Sequence, residues 1–152
     1  MSADAPSRYD GPRELAAALT AFARMSAADA QWDREGLRDD SEYRDLGLAA
    51  ATGGRLGVKH IRALKPMQAP TGWHWHWHDM TAHYVFVLKG WLTFRFAGIA
   101  GDVTLRAGDG LSQPAGVPHN VVARSDDLEV IEINEPAVYG TWALAEAPAP
   151  WR

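Results

Sequence analysis

The chain has 152 residues, 47% of them hydrophobic, a net charge of -4 and no cysteine. That is enough for one domain with a core, and it excludes disulfides and thiolate metal ligation. The mild charge and scattered basic residues exclude an electrostatic footprint for nucleic acid. The start, MSADAPSRYDGPREL, lacks the basic and apolar regions of a signal peptide, and no apolar run approaches the ~20 residues that span a bilayer. The expectation is a soluble cytoplasmic protein with no nucleic-acid or membrane partner.

Residues 12 to 28 read as an amphipathic helix. Pro12 suits its first turn, and Leu15, Leu19, Phe22 and Met25 recur at three- and four-residue spacing. The stripe is expected to dock on the domain body or on a second subunit. Trp32 to Asp45 is charged and turn-prone, a connector. Tyr43 to Ala51 leans to a strand through the alternation of Leu46 and Leu48, although Leu-Ala-Ala-Ala also tolerates a helix. Gly53-Gly54 turns the chain into a strand over Leu56 to Leu64, where His60 is expected to be a partly buried polar residue.

From Trp73 onward the pattern is β: 73 to 78, 83 to 88, 91 to 96, 102 to 106, 119 to 123 and 128 to 133, separated by Gly, Pro and Asp turns. Many short strands at this spacing predict an all-β closed barrel or jelly roll. The expected division is a helical segment and connector (1–42), a barrel (43–137) and a C-terminal arm (138–152) carrying Trp142 and Trp151. The helix stripe and the tail tryptophans together predict a homodimer.

Five of the six histidines fall in two stretches, Gly72 to Gly90 and Gly108 to Asn120. Imidazole is the commonest protein ligand for transition metals, so the clustering points to a metal. On a strand, His74, His76 and His78 share one face and Trp73, Trp75 and Trp77 the other, the latter for packing or a subunit contact. The Cα atoms of His74 and His78 are roughly 13 Å apart at a strand's rise, too far for all three to bind one ion, so one end histidine is not a ligand and His74 is the expected pocket residue. A hairpin closed by Asp79 to Ala82 would set His83 opposite His78 and Val85 opposite His76. His119 follows a Pro-Xaa-Gly-Xaa-Pro turn.

The expected metal ligands are therefore His76, His78, His83 and His119, and the expected pocket residues His74, Val85 and Val87. All-nitrogen ligation selects iron, nickel or zinc, with copper admitted, over magnesium and calcium. For the next strand, alternation allows either Leu92, Phe94 and Phe96 or Trp91, Thr93 and Arg95 to face inward. Asp79 and Glu132 are the nearest carboxylates, each expected to be a solvated surface charge. Gly108, Pro114, Gly116 and Pro118 are turn chemistry that shapes the site.

These residues resemble the two motifs of the cupin superfamily. The first is His76-Xaa-His78, four residues, His83, six residues, Gly90. The second is Gly108, five residues, Pro114-Xaa-Gly116, two residues, His119. The likeness covers roughly residues 43 to 137. It departs at Pro70, where the first motif opens on glycine, at His83, where it has an acid, and at Ala123, where the second motif has asparagine. The resemblance implies a double-stranded β-helix, or jelly-roll, barrel, here with an N-terminal helix.

Replacing that acid by an imidazole leaves both units of the ion's charge in place, which favours an anionic small-molecule ligand and acidifies bound water. The resemblance implies a metal-dependent small-molecule enzyme of dioxygenase type. The alternatives are a zinc- or nickel-dependent isomerase, cyclase or lyase, a non-catalytic ligand-binding cupin with a structural metal, and, least favoured, a metal-free sugar epimerase.

Overall fold

The computed structural model describes residues 21–67 and 75–148. Its strands are β1 (Ser41–Asp45), β2 (Gly57–Ala63), β3 (His76–His78), β4 (Ala82–Lys89), β5 (Trp91–Phe96), β6 (Val103–Arg106), β7 (Gly110–Gln113), β8 (His119–Arg124), β9 (Glu129–Glu135) and β10 (Thr141–Ala143). One short helix, α1 (Leu48–Ala51), lies between β1 and β2. The strands form two five-stranded sheets, β1-β2-β9-β4-β7 and β10-β3-β8-β5-β6, with every pairing antiparallel. This is the all-β jelly roll that the strand spacing predicts.

Side chains alternate across each strand, and the inward sets of the two sheets meet in one core. Val85 and Val87 from β4, Leu92, Phe94 and Phe96 from β5, and Val121 from β8 are its centre. Burying each contributes up to about 1.5–3 kcal/mol. The open choice on β5 falls to Leu92, Phe94 and Phe96. Arg95 turns outward, where its guanidinium donates two hydrogen bonds to Asp102 at 2.7 and 2.9 Å.

Three local expectations differ from the structure. Residues 21–28 of the anticipated helix are not helical, and residues 12–20 lie outside the described residues. Phe22 is 97% exposed, so no packed partner supplies the burial on which a short helix depends. Ser26 Oγ instead accepts the Ala28 N–H, a local bond that competes with the helix. Strand β1 ends at Asp45, whose Oδ1 accepts the Gly47 N–H at 2.7 Å. The Leu-Ala-Ala-Ala run that follows is α1, its high helix propensity winning once the chain has turned.

The third difference concerns β3 and β4, which are not a hairpin. Strand β3 pairs with β8 and β10, and β4 pairs with β7 and β9. The segment between them lacks the Asn-Gly or Gly residues of a tight hairpin and crosses from one sheet to the other. Met80 is buried at that corner, and the Thr81 N–H donates to Glu135 O. Two strands were not anticipated. One is β7, and the other is β10, formed by part of the C-terminal arm. Trp142 of β10 lies opposite Trp77 of β3, their rings stacked at 4.4 Å.

A buried ion pair ties the two sheets together at one end. Arg124 at the end of β8 donates to Asp40 Oδ2 and to Lys65 O, both at 2.9 Å, and Ser41 Oγ donates to Asp40 Oδ1. Asp40→Ala should destabilise the protein by about 3–5 kcal/mol because it strands a buried guanidinium. Asp40→Leu with Arg124→Met should recover most of that loss in urea unfolding.

Gly57 on β2 faces the fully buried Asn134, and a Cβ there would stand 2.7–3.1 Å from its carboxamide. Asn134 is held by hydrogen bonds to Pro136 O and Ala137 O. Gly57→Ala should therefore cost about 1–3 kcal/mol by overpacking, visible as a lower urea midpoint at unchanged slope.

Candidate metal centre

Strand parity assembles the histidines. His76 lies directly opposite His119 in the β3–β8 pair, and His78 lies opposite Thr141 in the β3–β10 pair. Their side chains project from one sheet into the space between the two. Ring centroids are 4.5 Å apart for His76 and His119, 4.9 Å for His76 and His78, and 5.3 Å for His78 and His119. One nitrogen from each of these buried rings lies within 4.8 Å of the others, the spacing of a three-ligand set. His119 arrives on a loop in which Gly116 has φ +68, a left-handed turn that glycine adopts without strain.

The donor chemistry fits a transition metal. His119 Nδ1–H donates to Val117 O at 2.9 Å, which leaves Nε2 with its lone pair. His78 Nδ1 lies 2.8 Å from Thr141 Oγ1, which orients that ring. Burial, then the neighbouring His76 and His83, lowers the His78 pKa to about 4. Burial does the same to His119, with His76, His83 and His78 adding to it against the Val117 bond, down to about 3. Both rings are neutral at pH 7, the form that binds metals.

His83 belongs to the opposite sheet, on β4 between Gln113 of β7 and Asn134 of β9. Its ring is 5.5 Å from His78 and 5.9 Å from His119, so sheet-to-sheet packing, not a hairpin, brings it near. Its Nε2 is turned to Glu132 Oε2 at 3.3 Å and lies 3.2 Å from Gln113 Nε2. One ring nitrogen cannot donate to a carboxylate and accept from an amide at once. With Glu132 ionised, His83 Nε2 carries the proton.

Glu132 is not the solvated surface charge that its sequence context predicts. It lies in the cavity wall with its side chain 17% exposed, because it shares the inward face of β9 with Val130 and Asn134. The signal was ambiguous, since Ile131 and Ile133 offer the opposite parity. Tyr139 O–H donates to Glu132 Oε1 at 3.3 Å and packs its ring edge-on to His78 at 5.2 Å. Burial pushes the Glu132 carboxyl up, but the His83 hydrogen bond, with His83, Lys59 and His78, outweighs it and brings the pKa to about 2. Burial, then the adjacent carboxylate, pushes the Tyr139 phenol above its ordinary range. Asp79 stays at the surface, accepting the Gly140 N–H.

These groups line a cavity of about 390 Å³, within the roughly 300–1,000 Å³ range of ligand pockets. Val85 is on its wall. Val87, at 0% exposure, sits deeper in the core and is not part of the lining. His74 lies outside the described residues. Lys59, Arg38, Gln113 and Tyr139 line the cavity and went unnoticed in the sequence. Arg62 points away, pairing with Glu42 and stacking on Trp32 at 3.9 Å. His60, half-buried, pairs with Glu129 at 2.9 Å. Among the described residues no helix is long and apolar enough to cross a membrane.

The family model described as a cupin domain matches residues 63–134. No curated protein matches by sequence. Among solved structures, the chain is similar to a sugar phosphate isomerase of the cupin superfamily from Silicibacter pomeroyi, with TM-score 0.62, 18% identity, and 82% of this chain and 83% of that one covered. It is similar to the polyketide cyclase RemF from Streptomyces resistomycificus, with TM-score 0.62, 17% identity, and 86% and 91% covered. It is also similar to oxalate decarboxylase OxdC from Bacillus subtilis, with TM-score 0.57, 20% identity, and 79% of this chain but 31% of that one covered.

His76→Ala and His119→Ala should each abolish stoichiometric transition-metal content in the purified, folded protein, read by elemental analysis. Thr141→Val should weaken affinity about 10–100-fold in competition with a chelator. His83→Ala should keep the metal within a few-fold, and a loss as large as that of His119→Ala would make His83 the fourth ligand.

Proposed function

The chain belongs to the cupin superfamily, and on that premise we propose that it is a metal-dependent enzyme that moves a proton on a small carbonyl-bearing substrate, in the manner of an isomerase, cyclase or lyase. The observation that carries this reading is Glu132, an ionised carboxylate inside the cavity beside three metal-competent imidazoles. An iron, nickel or zinc ion held by His76, His78 and His119 supplies Lewis acidity toward a carbonyl or enolate oxygen. The fold is shared with enzymes of several chemistries, so the residues of this cavity decide the reading.

Glu132 is placed to accept a proton from a carbon beside that carbonyl. The donors His83 Nε2–H and Tyr139 O–H hold its two oxygens at 3.3 Å each and aim it into the cavity. Apolar walls from Ile61, Leu92, Phe94, Val121, Leu128 and Val130 exclude water and hold the substrate body. Against burial, the same His83 donor keeps Glu132 ionised with a pKa of about 2, so as a base its contribution sits at the low end of the roughly 10²–10⁴-fold range of a positioned group.

A second reading is dioxygenation of an enolisable or diphenolic substrate, favoured by the neutral three-imidazole set, which also suits a ferrous ion. In a third, the metal is structural and the cavity binds a ligand without turnover. The test is deuterium exchange into a panel of enolisable 2-oxo acids and ketones, followed by NMR on metal-loaded protein under nitrogen. Exchange should occur without oxygen uptake, and Glu132→Gln should slow it on the order of 10²-fold while keeping the metal. Stoichiometric iron with substrate-dependent oxygen consumption would replace this reading with the second. Metal-loaded protein that exchanges nothing and consumes no oxygen would leave the third.

A further inference from the structure

Lys59 sits on the inward face of β2, directly opposite Glu132 of β9. A cross-strand Lys–Glu pair would ordinarily close into an ion pair. Here it does not. Among the described residues no carboxylate oxygen comes within 4 Å of the Lys59 ammonium, which stands 5.8 Å over the Tyr139 ring. Glu132 spends both oxygens on His83 and Tyr139 instead. The half-buried ammonium feels the Glu132 charge through space but makes no direct ion pair with either of its cross-strand carboxylates, Glu132 or Asp45.

Arg38 adds a second cation to the same lining and stays protonated, since burial lowers its pKa only to about 10. Glu35 also borders the cavity, but it is exposed at the mouth, where solvent and salt screen it. The remaining walls are mostly aliphatic and aromatic.

We propose that Lys59 is the carboxylate-recognition residue of this cavity, and that the ligand is a small organic monocarboxylate whose apolar body packs on Ile61, Leu92 and Phe94. This rests on the cavity being the substrate site of the proposed enzyme and names the substrate class for it. The carboxylate would supply the direct ion pair that Lys59 does not make within the chain, while the apolar body fills the walls that exclude water.

The test titrates the full chain, with and without zinc, with benzoate and hexanoate against benzamide and hexanamide, by calorimetry and NMR. The acids should bind at least tenfold tighter than their amides. Lys59→Met should erase that preference without changing zinc stoichiometry, and Lys59→Arg should keep it. Equal binding of acids and amides, or an unchanged preference in Lys59→Met, overturns the inference. If Lys59→Met fails to fold, the wild-type titration decides, because benzoate must shift the Lys59 side-chain carbon signals and benzamide must not. An acid preference that depends on Lys59 in protein that takes up no metal would uphold this inference while refuting the metal-dependent reading.

Discussion

The site depends on two inward faces meeting, and the pair that sets their alignment is His76 opposite His119. Strand β3 has three residues, and this is its one paired position with β8. That pairing brings two histidines from separate motifs, 43 positions apart in the chain, onto one surface. Every inward residue of the sheet then follows by parity: His78 beside Thr141 at one edge, and Phe96 beside His119 at the other. A slip of one residue would send the imidazoles to the solvent face and the tryptophans inward. The stacking of Trp77 on Trp142 outside the sheet opposes that slip from the other side.

Facing this surface is a set of a different chemical kind. The opposite sheet brings His83, Gln113, Glu132 and Lys59 inward from four strands, in two cross-strand pairs, Lys59 with Glu132 and His83 with Gln113. Burying a carboxylate costs several kcal/mol unless donors meet it. His83 and Tyr139 meet it, and they come from β4 and from the loop before β10. The buried Glu132 is thus held only where the two sheets and the C-terminal arm are all in place.

Most of the strands, the jelly-roll class and the clustering of His76, His78 and His119 within an expected four-histidine set were legible in the sequence, because each rests on short-range pattern: period-two alternation, turn residues and motif spacing. What the sequence hid was parity where apolar residues fall on both faces. In Leu128-Glu129-Val130-Ile131-Glu132-Ile133, either face reads as buried, so Glu132 passed for a surface charge. Lys59 was hidden likewise, flanked by Val58 and His60 on a strand whose residues are nearly all half-buried. The β3–β4 relation was hidden for another reason. A sheet-crossing corner and a hairpin loop look alike in composition, and the difference lies in which strands, distant in sequence, take the hydrogen bonds.

The exchange of acid for imidazole at position 83 takes on a different meaning once Glu132 is placed. From the sequence, four neutral rings leave a divalent ion with its full charge. In the fold, an ionised carboxylate stands directly behind His83 and accepts its Nε2 proton, so the negative charge has been moved back one residue rather than lost. A carboxylate that touches the ion is a ligand and is spent as one. A carboxylate held off it by an imidazole still tempers the field in the cavity without being spent as a ligand. Under the proposed function, the histidine at 83 is the spacer that holds Glu132 off the ion and leaves it available as a base.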